Sequence, residues 1–112
     1  MKVAELSGAA LDWAVARAEG LDVRLLNGGT EMVLRDGDWW YPSESWAQGG
    51  PIIEREGIDL KRKTDSLWEA EINANDYHNR KNGPTPLIAA MRCYVASKLG
   101  EEIEVPEELM EV

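Results

Sequence analysis

Gly83-Pro84-Thr85-Pro86-Leu87-Ile88-Ala89-Ala90-Met91-Arg92-Cys93-Tyr94-Val95-Ala96-Ser97-Lys98-Leu99-Gly100 carries a start signal, an apolar face and a stop signal for one helix. Thr85 is a helix-capping residue type, because its hydroxyl accepts an N–H that the first turn leaves unpaired. Pro86 suits the first helical position, where its missing N–H costs nothing. Leu87, Ala90, Met91, Tyr94, Val95 and Leu99 recur at helical spacing and make one apolar face. Lys98 complements the negative end of the helix dipole, and Gly100 stands where a glycine ends helices. The sequence thus predicts a helix over 86–99 with a face that has to be buried.

Working outward, residues 73–84 contain four Asn and a Gly-Pro and read as a polar loop. Before them, Ile58-Asp59-Leu60-Lys61-Arg62 alternates apolar and polar as a half-buried strand does, and Leu67–Ile72 is its partner across Thr64-Asp65-Ser66. Residues 42–51 read as a long irregular loop, after which Pro51 takes the first position of a short helix ending at Gly57. Residues 22–26 and Glu31–Leu34 flank Asn27-Gly28-Gly29, a turn signal favouring positive φ. Asp36-Gly37 is a second turn, and Trp39-Trp40-Tyr41 begins a third strand. Residues 7–19 form a helix, with Ser7 as N-cap and Gly20 as the terminating glycine.

The expectation is an α+β protein: an antiparallel meander sheet of about five strands, two main helices (about 7–19 and 86–99) and a short helix after Gly50-Pro51, the helices on one face. Residues 1–100 form a single globular domain. Residues 101–112, with six Glu and no base, form an acidic tail that either adds a strand at Ile103–Val105 or projects into solvent.

Composition narrows the function classes. Net charge is −9, and twelve basic residues face fifteen acidic ones once the tail is set aside. Non-specific nucleic-acid binding, which needs a basic face, is not expected. A single cysteine, Cys93, makes no internal disulfide, and no apolar run approaches a membrane span, so the cytoplasm of a host cell is the expected location. Cys93 beside the apolar stripe reads as a small buried hydrophobe. His78, the one histidine, sits in the polar loop and reads as solvated. One His and one Cys do not make a zinc site, and no nucleophile–base pairing is visible, so neither a metal, a cofactor nor a catalytic residue is expected.

Binding residues are drawn chiefly from three features. The chain enters helices at Gly49-Gly50-Pro51 and at Gly83–Pro86, where free N–H groups and the positive dipole end suit an anion, bringing in Gly49, Gly50 and Thr85. Arg55 and Arg92 lie about two turns into those helices and can clamp a phosphate or pair with nearby carboxylates. Lys61-Arg62-Lys63 and Arg80-Lys81 read as solvated strand and loop ends. Trp39, Trp40, Tyr41 and Trp46 cluster around the 42–51 loop. Neighbours on a strand face opposite ways, so one of Trp39 and Trp40 enters the core and the other faces solvent or a ligand. Tyr41, Ser43, Trp46 and Gln48 complete the candidate set.

Residues Tyr41–Glu56, Gly83–Gly100 and the opening Met1–Gly8 with Leu11–Ala16 resemble the phage NinX-type family of small accessory proteins. The resemblance implies a phage or prophage origin and carries no settled chemistry. In architecture, Tyr41-Pro42-Ser43 and Trp68-Glu69-Ala70 are similar to features of small phage proteins that sequester nucleotide immune signals, such as the Thoeris anti-defence proteins. Two expectations follow. One is a non-catalytic, homo-oligomeric binder of a nucleotide-type small molecule, cyclic dinucleotide or cyclic ADP-ribose in type. The other is an acidic interaction module that docks on a basic host protein through its tail.

Overall fold

The computed structural model describes residues 1–72 and 80–109. Most of the expected polar loop and its His78 lie outside the described residues, as do residues 110–112. Helices α1 (Gly8–Glu19), α2 (Trp46–Glu56) and α3 (Pro86–Leu99) alternate with strands β1 (Val23–Leu26), β2 (Glu31–Leu34), β3 (Asp59–Thr64), β4 (Leu67–Glu71) and β5 (Arg80–Gly83).

α3 begins as its sequence requires: the Thr85 hydroxyl accepts the Ile88 N–H at 3.1 Å, with Pro86 in the first turn. It does not bury a single face. Leu87, Ala89, Ala90, Met91, Cys93, Tyr94 and Val95 are all buried, while Leu99, expected on the apolar face, is exposed. The helix is the central core element, packed against β4 and β5 on one side and α1 and α2 on others. Small residues allow this. A side chain at Gly83 would bring its Cβ within 2.7 Å of the Ala89 nitrogen, so β5 passes α3 at backbone distance. Cys93 is fully buried, as expected, and burial pushes its thiol up to about 11.

α1 packs Ala10, Leu11, Ala14 and Val15 into the same core and ends at Gly20, whose N–H returns to Ala16 and Arg17 carbonyls at φ +72°. Ser7 occupies the N-cap position without a side-chain capping bond.

The single meander is corrected. The described strands form two antiparallel sheets, β1–β2 and β3–β4–β5. After the Asp36-Gly37 turn the chain makes one bridge, Val33 to Trp39, and then leaves β2. The expected third strand at Trp39–Tyr41 fails for two reasons. The Trp40 indole turns inward to α1, and Pro42 has no N–H to extend a ladder.

The expected loop over 42–51 is corrected as well. α2 starts at Trp46, and Pro51 lies inside it, not at its first position. Ser45 is the N-cap, accepting the Gln48 N–H at 3.3 Å. A proline in a helix restricts the residue before it partly through that residue's Cβ, and Gly50 has none. Gly49 is required by packing: a Cβ there would stand 2.7 Å from both the Pro42 carbonyl and a Leu87 methyl.

Residues 101–109 lie along the body. The Val3 N–H donates to the Glu101 carbonyl (2.9 Å), the Ile103 N–H to the Met1 carbonyl (3.0 Å), and Leu109 is buried. Among the described residues, 103–105 add no strand; just before them Glu102 makes an isolated bridge to Lys2.

Candidate functional site

α1 carries a carboxylate where an apolar residue would pack. Asp12 follows Leu11 on the buried side of the helix and is 5 % exposed. Its backbone carbonyl accepts the Trp40 indole N–H at 2.8 Å, and its Oδ1 accepts the Ser43 N–H at 2.7 Å. The Ser43 hydroxyl, also buried, lies beside the carboxylate without a well-formed hydrogen bond. Burial raises the Asp12 pKa to about 6; the Ser43 bonds oppose the shift and nearby Glu44 adds to it. A half-satisfied carboxylate in a cleft, titrating near neutrality, is the kind of group that marks functional sites.

The cleft is about 360 Å³ and is lined by Gly8, Ala9 and Asp12 of α1, Thr30–Met32, the segment Trp39–Tyr41, and Glu44. Trp40 and Met32 form its buried wall, while Trp39 (50 %) and Tyr41 (44 %) are exposed at its edge. This is the outcome expected for adjacent tryptophans, one in the core and one outward. The segment is held rigidly. The Gln48 side chain accepts the Tyr41 N–H (2.7 Å) and donates to the Trp39 carbonyl (2.5 Å), so one amide from α2 pins both sides of Trp40. Among the described residues lining the cleft, Asp12, Glu31 and Glu44 are acidic and none is basic. Glu31 also accepts a hydrogen bond from the Asn27 amide. Aromatic faces beside a buried carboxylate attract cations and hydrogen-bond donors and repel anions.

The other sequence candidates are dispersed by the fold. Arg55 pairs with Glu19 (2.5 Å) and Glu56 (2.9 Å) and donates to the Tyr94 hydroxyl, which itself donates to Glu19. Burial pushes Glu19 up, yet the bonds from Arg55 and Tyr94 outweigh it and its pKa is lowered. Arg92 reaches across the top of α3 to the carbonyls of Leu6 (2.7 Å) and Asn82 (2.9 Å), and burial lowers its pKa. It lines an open groove of about 630 Å³ with Arg80 and Lys81, which pair with Glu71 and Glu101. Thr85 is committed as the α3 cap and Gly49 to packing. Gly50 lies within α2, with open space where its side chain would be. Trp46, at the first position of α2, is 54 % exposed.

Of the candidate set, Tyr41 lines the cleft, Ser43 backs it and Gln48 positions it. Asp12, Thr30, Glu31 and Glu44 escape a reading by motif. The one signal for Asp12 is its place inside an Ala- and Leu-rich helical stretch.

Fold and site together describe a small α+β protein built round a buried helix, with one aromatic, acid-lined cleft pinned from α2. The family model described as Bacteriophage P22, NinX matches residues 2–98, and the chain belongs to that phage family. Among curated proteins, none matches the chain.

Proposed function

We propose that this protein is a phage-encoded docking module that modulates a host factor by binding a basic partner protein without chemistry of its own. The observation that carries this reading is the cleft: exposed Trp39 and Tyr41 over a buried Asp12, with Glu31 and Glu44 and no base in the lining. Aromatic residues dominate the energetics of protein interfaces, and acidic surroundings steer a basic partner to them. The net charge of −9 acts in the same direction at long range. The acidic stretch 101–109, strapped to the body, contributes to that field as part of the folded surface.

The test is affinity capture from host extract with the wild type and a Trp39→Ala/Tyr41→Ala variant, followed by reconstitution with the purified partner. A partner of basic surface, lost in the variant and released by moderate salt, supports docking. A reconstituted partner that binds the double variant equally well would rule the cleft out.

A second reading is sequestration of a nucleotide-type molecule by a homo-oligomer. It draws on the groove at the head of α3, where Arg80, Lys81 and Arg92 converge. Engagement of Arg55 and Arg92 with protein acceptors places this reading second, because each cation would have to exchange a partner to take a phosphate. Thermal shift against cyclic dinucleotides and cyclic ADP-ribose isomers decides it: stabilisation by one of them, lost in Arg92→Gln, would move this reading to first.

A further inference from the structure

We infer that the cleft between α1 and the Trp39–Tyr41 segment is a slot for one cationic side chain, arginine or lysine, of the partner protein. The inference rests on the docking reading and names the chemistry at its centre.

Three independent features converge on this occupant. The first is charge. Asp12, Glu31 and Glu44 face a common space from three different segments, and no basic residue among those described lines it. Asp12 Oδ1 is held by the Ser43 N–H with the Ser43 hydroxyl beside it, and no cation lines the space around the carboxylate among the described residues. A buried carboxylate so little compensated is costly unless a counter-charge reaches it, so an incoming cation gains more here than at a solvated acid.

The second feature is the π-surface. Trp39 is half exposed beside the space, and Tyr41 nearly so. A guanidinium or ammonium over such faces gains further attraction, larger where water is excluded. This chain already uses the contact elsewhere, with the Arg17 guanidinium 5.5 Å from the Trp13 ring centre.

The third is pre-organisation. Gln48 fixes the backbone on both sides of Trp40, and Trp40 is anchored on Asp12's own carbonyl. The wall and its charge therefore move as one unit, which lowers the ordering cost of binding. At about 360 Å³ the space admits one long side chain and not a folded element.

The experiment follows the indole N–H resonances of ¹⁵N-labelled protein, with Trp39 assigned from Trp39→Phe. The probes are acetyl-Gly-Arg-Gly-amide, its lysine analogue and its citrulline analogue, which keeps the shape of arginine and loses the charge. The arginine or lysine peptide is expected to shift Trp39 saturably, and citrulline to leave it unmoved. Asp12→Asn is expected to weaken peptide binding roughly tenfold, the scale of one desolvated cation contact. Asn retains the acceptor for the Ser43 N–H, so the variant is expected to fold, which its melting curve checks. Glu44→Gln, at an exposed position, gives the same direction without touching the core.

Absence of a saturable Trp39 shift, or equal shifts from arginine and citrulline, overturns the slot. A Trp39 shift that appears on simple concentration of the protein makes a second copy the occupant and also overturns it. If the captured partner binds Asp12→Asn as tightly as wild type, the slot fails while docking stands. If the charged peptides bind as expected but no partner requires Trp39 and Tyr41, docking fails and the slot stands.

Discussion

Asp12 and Glu19 lie on the same helix, two turns apart, and have opposite fates. Glu19 sits where α1, α2 and α3 meet and receives Arg55 and Tyr94. Its charge is stabilised and its pKa lowered. Asp12 sits where α1 meets the Trp39–Ser43 segment, receives one backbone N–H, and is raised to about 6. One carboxylate ties helices together. The other is held at a cost beside an open cleft. The contrast separates a polar group that ties the fold together from one that the fold leaves weakly compensated.

The sharpest way to break the contrast is at the satisfied end. Glu19→Ala leaves the Tyr94 hydroxyl and the Arg55 guanidinium without their shared acceptor. Stripping a partly buried donor of its acceptor costs about 1–3 kcal/mol, and urea denaturation at pH 7 is expected to show a loss near the upper end of that range. Because the folded pKa of Glu19 is lowered, its contribution is present above the ordinary glutamate range and fades as pH falls below it. The gap between wild type and Glu19→Ala is therefore expected to narrow in acid.

Asp12→Asn is expected to move stability the other way. The folded pKa is raised from 3.8 to about 6, so between those values the folded form holds a proton that the unfolded chain has released. Stability falls as pH rises through that window, and the whole cost is present above it. Removing the charge is expected to stabilise the protein at pH 7 by on the order of 2 kcal/mol, with little gain left at pH 4. Denaturation midpoints of both proteins from pH 4 to 8 check this. A flat difference would show that the carboxylate is better solvated than its burial implies.

Tyr94→Phe tests how much of the junction rests on the hydroxyl alone. It keeps the ring in the core and removes one hydrogen bond, so a loss of about 1 kcal/mol is expected in thermal or urea melts. Gln48→Ala is expected to have the smallest global effect, under about 1 kcal/mol, because the cleft segment is a surface element. Its effect is local: faster amide exchange at Tyr41, whose N–H loses its acceptor, and weaker binding of the charged peptides.

Much of the fold is legible because it is written locally. Thr85-Pro86 and Gly100 bracket α3, and the alternation in β3 and β4 pairs them across a short turn. The first half of α2, before Pro51, was hidden by its composition, while its end at Gly57 was legible. Gly49, Gly50 and Pro51 are poor helix formers, costing roughly 1 kcal/mol per glycine and about 3 for the proline against alanine. The helix forms over them because packing demands a glycine against Pro42 and Leu87, and Gly50 relieves the restriction before Pro51. The candidate site was half legible. The aromatic cluster is visible from residue type, whereas the role of Gln48 rests on contacts seven and nine positions away that only the fold brings about. Helix N-termini and spare arginines drew attention to Thr85, Arg55 and Arg92, which the structure commits to caps and pairs. No helix among the described residues is long and apolar enough to cross a membrane.

The two main helices, the β3–β4 hairpin and the inward–outward split of Trp39 and Trp40 follow from local sequence. Caps, periodicity and alternation act over a few residues, and their energies need no distant partner. The burial of α3 nearly all round and the division of the strands into two sheets depend on long-range packing. The same packing decides which carboxylate of α1 is satisfied. Asp12 is met by Ser43, 31 positions away, and Glu19 by Arg55 and Tyr94, at 36 and 75. Whether a charge is paired or left open depends on which distant segments arrive beside it, and a side chain's identity does not encode that.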